Sequence, residues 1–330
     1  MTDWWIFHGT NEPHDRIASL PPPQRWRAFD GGPLVDTALP AWSPVDVERA
    51  SFYQADPHVL DLVNAALYLR RPLLVTGKPG VGKSTLALSV AYELGLGPVL
   101  RWPITSRTTL KDGLYTYDAI RRLHDVSTAK EHEDAETDIG RYITLGPLGT
   151  ALLPRKRPRV LLIDEIDKSD IDLPNDLLNV FEEGEFTIPE LERAARNEQT
   201  EVHVSTADRG STEVPVQEGR VHCHAFPFIV LTSNQEREFP PAFLRRCVPL
   251  QILPPGEDDL IRIVQARLDA DVSREAADVV AEFLRQRDAG DLATDHLLNA
   301  LYLTFHAARA GGNRERLAQL LLSRLQPPTP

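Results

Sequence analysis

The chain has 330 residues, of which 42% are hydrophobic and 25% charged, so it can bury a sizeable core and is not disordered throughout. Single cores stop growing near about 250 residues, which predicts one large α/β unit, a smaller second unit and a short extension. A formal net charge of −12 opposes a surface that attracts nucleic acid as a whole, leaving only a local basic stripe for such a partner. No apolar run approaches the roughly 20 residues of a membrane helix, and the opening MTDWWIFHGT has neither the basic nor the apolar stretch of a signal peptide. Two cysteines, Cys223 and Cys247, give no disulfide framework. The expectation is a cytoplasmic protein with no membrane partner.

Residues 1–50 combine Trp4, Trp5, Trp26, Phe29 and Trp42 with the run Pro21-Pro22-Pro23 and with Gly31-Gly32, which predicts an extended, partly polyproline extension. Its aromatic content fits a tail packed on its own core, and a docking strap for a partner or neighbouring subunit is the other reading. From Pro57, Leu60, Val63 and Leu67 recur at helical spacing until Arg71-Pro72 breaks the pattern. A buried strand at 73–76, a glycine-rich turn, a helix at 83–94 and a strand at 99–104 follow, and this alternation predicts a parallel sheet. The acidic stretch 124–138 reads as a solvated loop, with a moving or partner-contacting insert as the alternative. A strand at 160–163 precedes a helix carrying Leu177, Leu178, Val180 and Phe181. Alternation across 202–223 predicts an inserted hairpin before a strand at 228–231. Beyond Pro254-Pro255-Gly256 the pattern is helical, at 257–268, 273–287, 294–309 and 313–325. The expected division is therefore an extension (1–50), an α/β core (51–253) and a helical lid (254–330).

Three motifs carry chemistry. Gly77-Lys78-Pro79-Gly80-Val81-Gly82-Lys83-Ser84-Thr85 matches G-x-x-x-x-G-K-[ST] between a strand and a helix, a P-loop. Its backbone N–H groups cradle phosphates, Lys83 reaches the β/γ-phosphates and Ser84 ligates magnesium. A chance match in such a chain is on the order of 1%. The strand Leu161-Leu162-Ile163 ends in Asp164-Glu165, the Walker B pattern, where Asp164 holds the magnesium shell and Glu165 polarises the attacking water. A third apolar strand ends in Thr232-Ser233-Asn234, delivering a polar side chain to the same sheet edge. The expected ligands are thus ATP and Mg2+, with Ser84 and Asp164 on the metal.

This order, followed by Pro240-Pro241-Ala242-Phe243-Leu244-Arg245-Arg246-Cys247, resembles that of AAA+ ATPases, and Gly146-Pro147-Leu148 with the inserted hairpin is similar to the MoxR branch over about residues 55 to 310. The resemblance implies that Asn234 is the sensor 1 residue. It also implies that Arg246, or its neighbour Arg245, is the arginine finger reaching a neighbouring subunit's ATP site. It implies a P-loop NTPase parallel sheet with helices on both faces, a hexameric ring, and chaperone-like remodelling of a partner protein, a class that in that family often carries a von Willebrand factor A domain. The N-terminal patterns W-x-F-x-G-T and W-R-x-F are similar to MoxR-like ATPases of bacterial conflict or defence modules. The segment 107–115 lies where the family places its pore loop. The family's sensor 2 arginine is missing from Ala293-Thr294-Asp295-His296-Leu297-Leu298, with Arg285 or Arg287 as candidate substitutes.

The rival functions are an ATP-dependent switch or scaffold, which intact Glu165 and Arg246 oppose, and a nucleic-acid motor, which the acidic balance opposes. GTP is disfavoured because no N-K-x-D motif follows the P-loop. On a strand His222 and His224 face away from Cys223, which disfavours zinc. Arg155-Lys156-Arg157-Pro158-Arg159 reads as a short solvated loop.

Overall fold

The computed structural model describes residues 4–128, 138–196, 199–210, 212–267, 280, 283–284 and 297–303. The chain divides into two compact units, residues 1–76 with 84–250, and residues 77–83 with 251–330. In chain order the elements are α1 (Pro44–Ser51), α2 (Pro57–Leu69), β1 (Leu73–Thr76), α3 (Lys83–Glu93), β2 (Leu100–Pro103), α4 (Leu110–Leu114) and β3 (Tyr115–Tyr117). There follow α5 (Ala119–Thr128), β4 (Ile143–Leu145), α6 (Pro147–Ala151), β5 (Val160–Asp164), α7 (Leu173–Glu183), β6 (Glu185–Thr187) and α8 (Pro189–Ala195). The last are β7 (Glu201–Ser205), β8 (Glu213–Gln217), β9 (Arg220–His222), β10 (Phe228–Ser233), α9 (Pro241–Leu244), β11 (Val248–Gln251) and α10 (Glu257–Arg267).

A five-stranded sheet in the order β11-β1-β10-β5-β2 forms the frame. Its inner strands, LLVT, FIVLTS and VLLID, are apolar runs because parallel strands are covered on both faces. β10 lies between β1 and β5 with parallel register, Thr76 opposite Ser233 and Leu231 opposite Ile163. The P-loop strand and the carboxylate strand are thus separated by the strand that ends just before Asn234. α2 starts where Asp56 accepts the Val59 N–H at 2.9 Å with Pro57 in the first turn, and it buries Leu60, Val63 and Leu67.

A second, six-stranded sheet in the order β3-β4-β7-β8-β9-β6 is not hydrogen-bonded to the first but shares one hydrophobic core with it. The hairpin expected at 202–223 is therefore three strands: β7 and β8 pair antiparallel, and β8 turns through Glu218 and Gly219, both at positive φ, into β9. β9 then pairs with β6, a strand whose three residues carry no alternation long enough to read.

Two further expectations change. Residues 124–128, read as loop, are the last turns of α5, and 129–137 lie outside the described residues. The run 155–159 is not simply solvated: Arg159 is 1% exposed and grips both oxygens of Asp208, at 2.9 and 2.7 Å, and Arg155 donates to Thr37 O and Oγ1. Burying a guanidinium needs acceptors or a counter-charge, which Thr37 and Asp208 supply from far away in sequence, while Nε of each arginine is buried without a hydrogen-bond partner among the described residues.

The N-terminal segment packs on the first unit. Asn64, fully buried, accepts the Ile6 and Phe7 N–H groups at 2.7 and 2.9 Å and donates to Phe7 O at 2.8 Å. Glu93, also fully buried, accepts from the backbone of His8, Gly9 and Asn11 and from His14 Nε2. In the second unit α10 contributes Leu260 and Val264 to a cluster with Val280, Phe283, Leu297, Ala300 and Leu301. The helices expected at 273–287, 294–309 and 313–325 lie largely or wholly outside the described residues, where 280, 283–284 and 297–303 are helical.

Candidate active site

β1 ends at Thr76 and the chain turns through 77–82 into α3. Gly80 and Gly82 take φ of 75° and 92°, a left-handed backbone that a side chain resists. The crown of the loop, Lys78, Pro79 and Gly80, is exposed, and Val81 and Gly82 are half-buried. Lys83 opens α3 with Ser84 and Thr85 behind it in the first turn. The Lys83 ammonium, 8% exposed, donates to Gly77 O at 2.7 Å and to Lys78 O at 2.9 Å, so it lies inside the curve of the loop.

At the ends of β5 and β10 three side chains, Ser84, Asp164 and Thr232, and the Glu165 backbone N–H converge. Ser84 Oγ donates to Asp164 Oδ1 at 2.8 Å, and Thr232 Oγ1 donates to the same oxygen at 2.5 Å. Thr232 Oγ1 accepts in turn from the Glu165 N–H at 2.9 Å. Glu165 has φ 61° and ψ 50°, a left-handed conformation that turns the chain sharply after Asp164. Its carboxylate, about two-fifths exposed, pairs with Lys168 Nζ at 2.8 Å, and this hydrogen bond raises the Lys168 pKa. Asp167, 5% exposed, accepts the N–H groups of Asn234 and Glu236 on Oδ2 at 2.8 and 3.2 Å. Its Oδ1 is buried without a hydrogen-bond partner among the described residues. Asp167 thus fixes the turn that carries Asn234 beside the carboxylate edge.

Residues 72–247 match the AAA domain (dynein-related subfamily). This chain belongs to that AAA family. It is also similar to the chaperone protein ClpB of Chlamydia caviae, 27% identical over 203 residues, which cover 59% of this chain and 21% of that protein. ClpB of Chlamydia trachomatis is 26% identical over 208 residues, 61% of this chain and 22% of its own. The chain spans about a fifth of the length of these relatives. The match makes the AAA domain a P-loop NTPase domain and covers the P-loop, Asp164, Glu165, Asn234 and the arginine pair.

The adjacent Arg245 and Arg246 are held by contacts of their own. Arg246 sits just past α9, which packs on α7. Its Nε donates to Glu182 Oε1 at 2.6 Å and its Nη1 to Ala242 O at 3.2 Å. Glu182 is at the C-terminal end of α7, whose start follows the carboxylate turn, and eleven residues of helix span about 16 Å. Arg245 contributes a carbonyl that accepts from Arg71 Nη1 at 3.0 Å. The segment 107–115 runs from β2 into α4, capped by Thr109 and Asp112. Arg285 and Arg287, the candidate sensor 2 substitutes, and residues 293–296 lie outside the described residues.

Thr232 and Asp167 were not read as site residues from sequence, although both stand within the quoted motifs. A hydroxyl or carboxylate at a strand end reads as a local cap until its partner across the sheet is known. Cys223 is fully buried and its thiol is pushed up to about 12 by burial, which keeps it protonated and a poor metal ligand. His222 Nδ1 faces Asp30 and Glu185 at 3.5 and 3.9 Å. Among the described residues no helix is long and apolar enough to cross a membrane.

Proposed function

We propose that this AAA domain hydrolyses ATP with Mg2+ as a subunit of a MoxR-like ring and uses the cycle to remodel or activate a partner protein. The observation that carries the reading is the contact of Ser84 Oγ with Asp164 Oδ1 at 2.8 Å, directly after Lys83 and directly before Glu165. A hydroxyl and a carboxylate side by side are the hard oxygen donors that Mg2+ prefers, so the residues present fit the ion. Ser84 and Asp164 would hold the ion there, and it would supply positive charge against the charge that develops during phosphoryl transfer.

The chain's own residues supply the rest. Lys83 leaves the carbonyls of Gly77 and Lys78 for the β/γ-phosphates, while the loop N–H groups hold the phosphate chain. Glu165 exchanges Lys168 for a water and accepts its proton as the oxygen attacks phosphorus. Asn234, held by Asp167, orients that water. Arg246, at the far end of α7, serves the pocket of the adjoining subunit, where it stabilises charge on the transferring phosphoryl group. Similarity to ClpB supports a protein client, and the N-terminal patterns support a von Willebrand factor A domain partner in a bacterial conflict or defence module.

The test mixes two inactive variants, Glu165→Gln and Arg246→Ala. Arginine fingers supply about 10³ to 10⁵ in rate, so each variant alone is nearly dead. In a mixed ring some interfaces join an intact pocket from the arginine variant to an intact finger from the glutamate variant, and part of the activity returns. Co-assembled subunits that recover nothing refute the trans-acting finger. A chain that stays monomeric in ATP, by mass measurement of the Glu165→Gln form, refutes the ring.

A further inference from the structure

Glu182 lies between two guanidinium groups. Its Oε1 takes Arg246 Nε at 2.6 Å, and its Oε2 lies 3.5 Å from Arg27 Nη1. Arg27 belongs to the N-terminal segment and is 8% exposed. It is held from several sides: Nη1 donates to Phe181 O at 2.9 Å, Nη2 donates to Arg70 O, and its Cζ lies 5.3 and 4.9 Å from the ring centroids of Phe29 and Phe226. Burial lowers its pKa, yet a guanidinium keeps its charge at neutral pH. One of the two arginines is therefore a fixed anchor, whereas Arg246 is about two-fifths exposed.

The pattern of donors decides what this contact does. Glu182 engages Nε and the Ala242 carbonyl takes one proton of Nη1. Nη2 makes no hydrogen bond among the described residues, so the guanidinium is oriented while part of its fork remains open to a second anion. A long side chain already ordered before it meets its target loses less freedom on binding.

We infer that Glu182 is the positioning residue of the Arg246 finger and that Arg27 anchors Glu182, so that the N-terminal segment sets how well one subunit serves its neighbour's site. This rests on the trans-acting reading of Arg246. Glu182 touches no substrate in this scheme, and its effect must travel through Arg246.

The experiment uses the mixed ring of Glu165→Gln and Arg246→Ala as reference and adds Glu182→Ala to one component at a time. Placed on the Glu165→Gln subunit, which donates the finger, it lowers the restored kcat about tenfold, the factor that ordering a long side chain reaches at its upper range. KM for ATP stays within about twofold. Placed on the Arg246→Ala subunit, which donates only the pocket, it leaves the restored rate within about twofold. Equal losses in both placements make Glu182 a structural residue and overturn the inference, as does no loss on the donor side. A reference mixture without restored activity overturns the finger itself and the inference with it. Arg27→Lys keeps the buried charge but not the fork, and gives a smaller loss confined to the donor side; its absence removes Arg27 from the scheme.

Discussion

Thr232→Val keeps the shape of a side chain that is 1% exposed and removes the one hydroxyl that touches both carboxylate residues of the β5 edge. In the native chain that hydroxyl donates to Asp164 Oδ1 and accepts the Glu165 N–H, 2.5 and 2.9 Å away. Glu165 is left-handed at φ 61°, a conformation that costs a residue with a side chain about 1–3 kcal/mol and persists only where its surroundings enforce it. Valine withdraws the acceptor from the Glu165 N–H, a loss of about 1–3 kcal/mol, which lowers the melting temperature by roughly 2–12 °C at about 2–4 °C per kcal/mol. Relaxation of the turn displaces the Glu165 carboxylate, and a shift of about 1 Å costs on the order of 10² in rate. The P-loop is untouched, so KM for ATP stays within about threefold. Steady-state ATPase assays on Thr232→Val and Thr232→Ser, with melting curves for both, separate the terms, since serine keeps the hydroxyl and recovers most of kcat. A folded valine variant whose kcat lies within about threefold of the parent refutes the reasoning: the left-handed turn then holds Glu165 without this bond.

Lys83→Ala removes the ammonium that lies between Gly77 O and Lys78 O, and nucleotide affinity falls beyond detection; retention within about threefold, roughly 0.7 kcal/mol, measured by calorimetry, rules out the phosphate role. Arg159→Met leaves Asp208 buried without its bidentate partner and destabilises the chain by about 3–5 kcal/mol; adding Asp208→Leu recovers most of that in denaturant melts, and no recovery means that shape rather than charge decides the site. Cys223 and Cys247, both pushed up to about 12 by burial, resist alkylation at pH 8 in the native protein and react after unfolding, as mass spectrometry of the trapped thiols will show; rapid native labelling contradicts the burial.

The amino-acid sequence alone determines the elements whose signal is local. The runs at 73–76, 160–163 and 228–231 read as core strands because a parallel strand covered on both faces has no polar side to show. The P-loop is equally legible, since its glycines answer a backbone need within six residues, and so is the polar ending of each strand, where the apolar run stops. Only the tertiary structure decides which endings meet. β10 comes last of the three in sequence yet lies between the other two, which brings Thr232 to Asp164 and Asp167 to the Asn234 turn across separations of 68 and 67 residues. The run 155–159 looks solvated because charge by itself predicts water, and the carboxylate that buries Arg159 enters 49 residues later. Glu182 carries no signal in the sequence, because Arg27 and Arg246, 155 and 64 residues away, meet it only in the fold. Periodicity along a chain reports which side of an element is apolar. It carries no record of the partner that satisfies a buried charge, because that partner is chosen by how the elements pack.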